Sequence, residues 1–412
     1  MPPHAAMVCL GSSTALRPRT PHEMTTSSSM ALENTGTGKL ERFLGAYDRG
    51  IAGPTVVIAA VVHGNEPAGV VAFQNVLARL QADNVSLRGR FVGLAGNLAA
   101  YERGQRFVEE DFNRIWSEAR VARLRAAGWR ARTVDESQQR ELLAALEAEL
   151  GRAVGPVFFL DLHTSSAPGQ PFVCIGDTIR NRRFAEGFPV PVILGLEEQV
   201  DGALLEYVNN LGHVTVGVEA GQHDQQQSIA YHEAFLTLAL INAGCLARTA
   251  ATDFGRHFKV LREAAGSLPP VLEVRHRHAI AVGDGFRMHR GYANFTTVSA
   301  DEVVACDDTG EIRLGAEARM LLPLYQGLGN DGFFLVREVR PIWLRLSAWL
   351  RYLRLDRIAP LLPGVRRDPD HVETLIVNRR VARWLTVEIF HLFGFRKERA
   401  GGEVLHFSRR RE

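Results

Sequence analysis

Cysteine is scarce in this chain: four in 412 residues, Cys9, Cys174, Cys245 and Cys306, with no C-x-x-C pair. That argues against a disulfide framework or a cysteine-rich metal site, and it fits a reducing compartment. Long apolar runs are missing too, and none approaches the roughly 18 residues that a membrane span requires. Nor is there an excess of charge of one sign. Lys plus Arg number 48 and Asp plus Glu 46, a net charge of +2, so charge makes no case for nucleic acid. The short apolar patch at residues 7–10 is followed by basic residues instead of preceded by them, the wrong order for a secretory signal. A cytoplasmic protein with no nucleic-acid partner is expected.

What is present is ordinary for a soluble globular protein, with 46% hydrophobic and 23% charged residues. The length allows two or three domains. Residues 1–37 are rich in Ser, Thr, Pro and Gly and lack a hydrophobic period, which reads as a disordered leader with Met24 and Met30 as alternative starts. Residues 38–255 alternate apolar strand-like runs ("TVVIAAVV", "GRFVGLAGN", "PVFFLDLH", "PFVCIG", "PVILGL", "VTVGVEAG") with helical stretches at 68–81, 138–150 and 228–242. This pattern predicts an α/β fold, a sheet flanked by helices on both faces. Residues 256–337 carry short runs punctuated by Gly and Asp, which predicts a smaller β-rich C-terminal domain. Residues 338–412 are basic and open with "WLRLSAWLRYLRL", which predicts a helical extension.

The chemistry gathers at strand ends. In "VVIAAVVHGNEPAGVVAF" an apolar run stops at His63-Gly64-Asn65-Glu66, just before a helix. A strand-to-helix turn lets the imidazole and the carboxylate point at one spot. Nitrogen and oxygen donors of this kind suit zinc, whose catalytic sites take three protein ligands and keep one position open. "PVFFLDLHTSS" supplies a third candidate, His163, and strand alternation puts Asp161 on the same side, where it would orient an imidazole. Each piece alone has a bland reading as a structural histidine or a chance H-x-x-E. Two further clusters stand out. "RFVEEDFNRIW" holds Arg106, Asn113 and Arg114, either a solvated surface or a clamp for a carboxylate. In "VTVGVEAGQHD", Glu219 ends an apolar run before Gly221, as a helix-capping acid or as a general base.

Taken in order, "HGNE", "RFVEEDFNR", "DLHTSS" and "VEAGQHD" resemble the succinylglutamate desuccinylase/aspartoacylase family, relatives of the zinc carboxypeptidases. The "MLLPLYQGLGNDGFFL" segment looks like the end of that family's β-rich C-terminal domain. The resemblance implies a zinc-carboxypeptidase-like mixed sheet and one zinc per chain, held by His63, Glu66 and His163. It also implies Glu219 as general base, Arg106 polarising the scissile carbonyl, and Asn113 with Arg114 holding a substrate carboxylate. The implied reaction is zinc-dependent hydrolysis of the amide in a small N-acyl amino acid or related N-acyl amine. A zinc exopeptidase and a catalytically silent binding relative are the alternatives. Where aspartoacylases place an arginine and a tyrosine to read an acidic side chain, this chain has Asn209 and Leu205, which argues against N-acetylaspartate.

His223 and Asp224 follow the expected base, as pocket residues or, for Asp224, as a helix cap. In the tail, Trp343, Leu346, Trp349 and Leu350 fall on one helical face with arginines elsewhere. Such a stripe is expected to pack on its own domain or on a second copy in a homo-oligomer, ahead of a membrane surface.

Overall fold

The structure, a computed structural model, describes residues 39–250, 253–281, 283–369, 374–378, 390, 392–401 and 404–409. The expected leader, with Cys9, Met24 and Met30, lies outside them.

The strands of the first half are β1 (Phe43–Asp48), β2 (Thr55–Ala60), β3 (Arg90–Ala95), β4 (Val157–Ser165), β5 (Phe172–Cys174), β6 (Val192–Leu194) and β7 (Val214–Gln222). Further along the chain come β8 (Val271–Ala279), β9 (Arg287–Met288), β10 (Thr297–Val298), β11 (Val303–Asp307), β12 (Gly310–Arg313), β13 (Ala318–Leu321) and β14 (Asp331–Glu338). Eleven of them form one mixed sheet in the order β1-β3-β2-β4-β7-β5-β6-β8-β14-β13-β10. Its centre is parallel: β2 pairs with β3 and β4, and β4 with β7. Strand β5 runs antiparallel to β7, and β8 joins β6 in parallel and β14 in antiparallel. Strands β12, β11 and β9 form a separate small sheet.

The expected α/β class holds, and the reason is visible in β2. All six of its residues are buried, as a strand covered on both faces requires. Val56, Ile58 and Ala60 join one core with Val70, Phe73 and Phe235 from the helices Ala68–Ala82 and Gln226–Asn242. Val57 and Ala59, one step out of phase, join the opposite core with Leu142, Leu146 and Leu204 from the helices Val134–Arg152 and Leu204–Asn210. Each buried Val, Leu or Phe stabilises this packing by about 1.5–3 kcal/mol. The parallel strands β2, β4 and β7 consequently end on one edge of a rigid sheet, which is where ligands of such sheets bind.

The tail opens with the expected helix, Pro341–Tyr352, and its tryptophans are not packed on the protein's own body, the first of the two packings expected for them. Trp343 and Trp349 are 51% and 58% exposed, while Ser347 and Arg351 are buried. Polar pairing outweighs the apolar stripe here. Arg351 donates to the Asp177 carbonyl at 2.9 Å and to Asp177 Oδ2 at 3.0 Å, and Ser347 Oγ donates to the Leu392 carbonyl at 2.9 Å. Beyond the helix, Val365–Arg367, Thr374–Asn378, Phe395–Gly401 and Val404–Arg409 form an antiparallel sheet with its own core of Leu375, Val377, Phe395, Leu405 and Phe407. Among the described residues no helix is long and apolar enough to cross a membrane.

Candidate metal centre and cleft

Three consecutive neighbours in the sheet supply the polar centre. Past the end of β2, Val61 adopts φ +49 and turns the chain so that His63 faces the sheet edge. Gly64 is needed next to it, because a Cβ there would lie 2.2 Å from the backbone of Ala100 and Tyr101. His163 sits near the end of β4 and is in register with Glu219 on β7. Gly221, at φ +87, then lets the chain leave β7 toward the next helix.

The expected ligand groups converge. His63 Nδ1 lies 2.9 Å from Glu66 Oε1, and His163 Nδ1 lies 3.0 Å from Glu66 Oε2. All three side chains are buried, and their donor atoms fall within 4.8 Å of one another. The far nitrogen of each ring also meets a carboxylate: His163 Nε2 at 3.0 Å from Asp161 Oδ2, and His63 Nε2 at 3.3 Å from Asp111 Oδ1. A carboxylate behind each imidazole is the arrangement that orients histidine ligands of zinc.

The donor chemistry fits a divalent cation. Burial opposes ionisation of Glu66, yet the adjacent His63 and His163 outweigh it and hold its carboxyl well below the usual range. Burial likewise works against a charged His163, but Asp161 and Glu66 raise its pKa well above the ordinary value. Asp161 Oδ1, Glu219 Oε2 and His223 Nε2 are buried without a hydrogen-bond partner. Such orphaned atoms around a concave site call for a bound group.

The remaining expected residues surround this centre. Arg106 donates from Nε to Asp111 Oδ2 at 3.1 Å, and its Nη1 lies 3.8 Å from Glu66 Oε1. Asn113 accepts from the Leu204 amide at 2.9 Å, and its Nδ2 lies 3.5 Å from His163 Nε2. Arg114 donates to Asp331 Oδ2 at 2.5 Å, so an internal carboxylate already rests on it. Glu219 faces the same cleft, where removal from water is the largest influence and pushes its carboxyl up to about 8. His223 lines the cleft with Nδ1 2.8 Å from Thr164 Oγ1. Asp224 does neither thing expected of it: it is exposed, and the residue preceding the helix is Gln225.

The cleft, its open mouth included, spans about 920 Å³. Leu322, Leu324 and Gln326, from the segment before β14, form part of its wall. Asn65 donates to Gln326 Oε1 at 2.9 Å across it. Sequence reasoning passed over Asp111 and Asp331. The first was legible as the acid two residues before Asn113, whereas the second becomes a neighbour only through folding.

Comparison with known proteins agrees with this geometry. The catalytic-domain model of the succinylglutamate desuccinylase/aspartoacylase family matches residues 52–241. Over 74 residues the chain is 34% identical to a succinylglutamate desuccinylase of Pseudomonas paraeruginosa, and over 112 residues 31% identical to one of Burkholderia pseudomallei. These stretches cover 18% and 27% of this chain but only 21% and 31% of those relatives. Among solved structures, a succinylglutamate desuccinylase/aspartoacylase of Rhodobacter sphaeroides aligns with a TM-score of 0.53 at 18% identity, covering 71% of this chain and 88% of that one. A succinylglutamate desuccinylase of Vibrio cholerae aligns at 0.50 and 15%, covering 70% and 83%. At these identities the structural likeness is one of fold.

Proposed function

We propose that this chain, whose residues 52–241 match the catalytic-domain model of the succinylglutamate desuccinylase/aspartoacylase family, belongs to that family and is a zinc-dependent hydrolase of the amide bond in small N-acyl amino acids. One observation carries this reading: two imidazoles and a carboxylate meet at one point, each ring backed by a further carboxylate, on the ends of adjacent parallel strands. His63, Glu66 and His163 would hold the zinc, which when bound supplies Lewis acidity toward a water and the scissile carbonyl.

The protein's own groups do the rest. Glu219 takes the proton of the attacking water and later returns it to the leaving amine. Burial in the cleft makes its carboxylate hold a proton more tightly than a solvated one, the direction that suits a group carrying a proton from water to amine. Arg106, held in place by Asp111, donates to the carbonyl oxygen as it gains charge, a contribution of about 3–4 kcal/mol for a well-placed donor. Asn113 and Arg114 hold the substrate carboxylate; Arg114 has its Nε without a partner for the purpose. Residues 38–255 would provide the catalysis, 256–337 would wall the cleft, and 338–412 would form an extension.

The test is metal analysis joined to turnover of a panel of N-acyl amino acids followed by mass spectrometry. About one zinc per chain is expected, with hydrolysis that a chelator abolishes and added zinc restores. A folded chain that refuses zinc would remove the reading.

A further inference from the structure

Part of the cleft wall is apolar. Cys174, Leu196, Val200, Ala203, Leu205 and Phe334 form it, contributed by β5, the Leu196–Gln199 helix and its continuation, and β14. All but Leu196 are buried in the protein body, so the wall is fixed by packing instead of by mobile surface chains.

Cations on the cleft wall are few and engaged. Among the described residues lining it, the permanently charged ones are Arg106 and Arg114. Arg106 carries Asp111 at 3.1 Å, and Arg114 carries Asp331 at 2.5 Å. Asp331 also accepts from Arg277 Nε at 2.5 Å on its other oxygen, which holds the carboxylate in place beside Arg114. Against these two guanidiniums the lining holds five carboxyl groups, on Glu66, Asp161, Glu197, Glu219 and Asp331. One substrate carboxylate can use the spare Nε of Arg114. A second one would meet an apolar, acid-flanked wall that carries no further guanidinium or ammonium among the described residues lining the cleft, and a buried charge without a partner is strongly disfavoured.

We infer that this cleft selects N-acyl amino acids bearing a single carboxylate and an apolar variable group, which lies along the wall formed by Leu205, Val200 and Phe334. The inference rests on the hydrolase reading above and names its substrate class.

The test separates the two claims by measuring binding and turnover on different proteins. Zinc-loaded Glu219→Gln enzyme is titrated calorimetrically with N-acetylleucine, N-acetylphenylalanine, N-acetylglycine, N-acetylaspartate and N-succinylglutamate, while the unaltered enzyme is assayed for hydrolysis of the same five. Affinity for the leucine and phenylalanine compounds should exceed that for either dicarboxylate at least about ten-fold, the scale of a filled apolar pocket. Leu205→Ala should weaken N-acetylleucine several-fold more than it weakens N-acetylglycine. Leu205→Arg, if it folds, should turn the preference toward the dicarboxylates. Equal or tighter binding of a dicarboxylate, binding of none of the five, or an equal loss for leucine and glycine in Leu205→Ala would each overturn the inference. Tight binding of the apolar compounds without hydrolysis would leave this assignment standing and remove the hydrolase reading alone.

Discussion

Asp111 Oδ1 lies 3.3 Å from Nε2 of His63, on the side of the ring away from Glu66. The same carboxylate receives Arg106 Nε at 3.1 Å and the Asn113 amide at 3.0 Å. Burial opposes its ionisation, but Arg106 and His63 outweigh that and hold its carboxyl well below the usual range. A single buried anion therefore orients an expected ligand, an expected oxyanion donor and the loop that carries Asn113. Asp111→Asn keeps the shape and removes the charge. Zinc affinity is expected to fall about 10–100-fold, the usual effect of removing a partner behind a ligating imidazole. Competition with a chromophoric chelator measures it, and circular dichroism controls for folding.

Glu219 is the residue whose removal should separate binding from chemistry. It touches none of the three ligand side chains through a hydrogen bond recorded among the described residues, although it is in register with His163 on the next strand. Glu219→Gln is expected to retain zinc while turnover drops about 10²–10⁴-fold, the range for a positioned general base. Metal content per chain and initial rates on one N-acyl amino acid decide the matter. Unchanged rates would reassign the base.

Much of this site could be read before folding because its residues terminate apolar runs. His63 follows a strand buried on both faces and His163 sits near the end of one that is almost wholly buried, so a polar side chain there points to the sheet edge. The i, i+2 alternation that paired Asp161 with His163 appears as a 3.0 Å contact. What resisted reading depends on contacts across long stretches of chain. Asp331 reaches Arg114 over 217 positions, and nothing local to "GNDGFF" signals it. Leu205 and Val200 look like ordinary core residues, and only the path of β6 and the short helices after it turns them toward the cleft. Strand Thr374–Asn378 was hidden for a similar reason: its partners are other tail strands, and a three-residue apolar run in a basic segment carries no register of its own.

His232, on the Gln226–Asn242 helix, should give the fold an acid sensitivity separate from the carboxylates. It is buried, its Nδ1 is 2.9 Å from the Ser228 carbonyl, and burial lowers its pKa from 6.5 to about 4. The unfolded chain protonates this ring near 6.5 and the folded chain does not until about 4, so protons favour unfolding in between. The stability is complete above pH 6.5 and is lost as pH falls toward 4, by up to about 3 kcal/mol at 1.4 kcal/mol per pKa unit. Urea midpoints between pH 7 and pH 4.5, at constant metal content, should show a shallower acid-side slope for His232→Leu than for the unaltered chain. Parallel slopes would assign the acid sensitivity elsewhere.

Asp177 joins the tail helix to the α/β body through two guanidiniums. Arg182 donates from Nη2 to Asp177 Oδ2 at 2.8 Å and from Nε to Oδ1, and it also reaches the Leu344 carbonyl at 3.2 Å. Arg351, in the tail helix, donates to the same Oδ2 at 3.0 Å, with both side chains 1% exposed. Neutralising the shared carboxylate would remove the anion between two guanidiniums, and breaking a buried pair in this way typically costs about 3–5 kcal/mol. Asp177→Asn is therefore expected to lower the urea midpoint strongly, while Arg351→Met, which removes one of the two cations, should recover part of the loss in the double variant. An additive double variant would mean that Asp177 and Arg351 are not energetically coupled, and that the tail helix is held by its apolar contacts, Leu344 among them, instead.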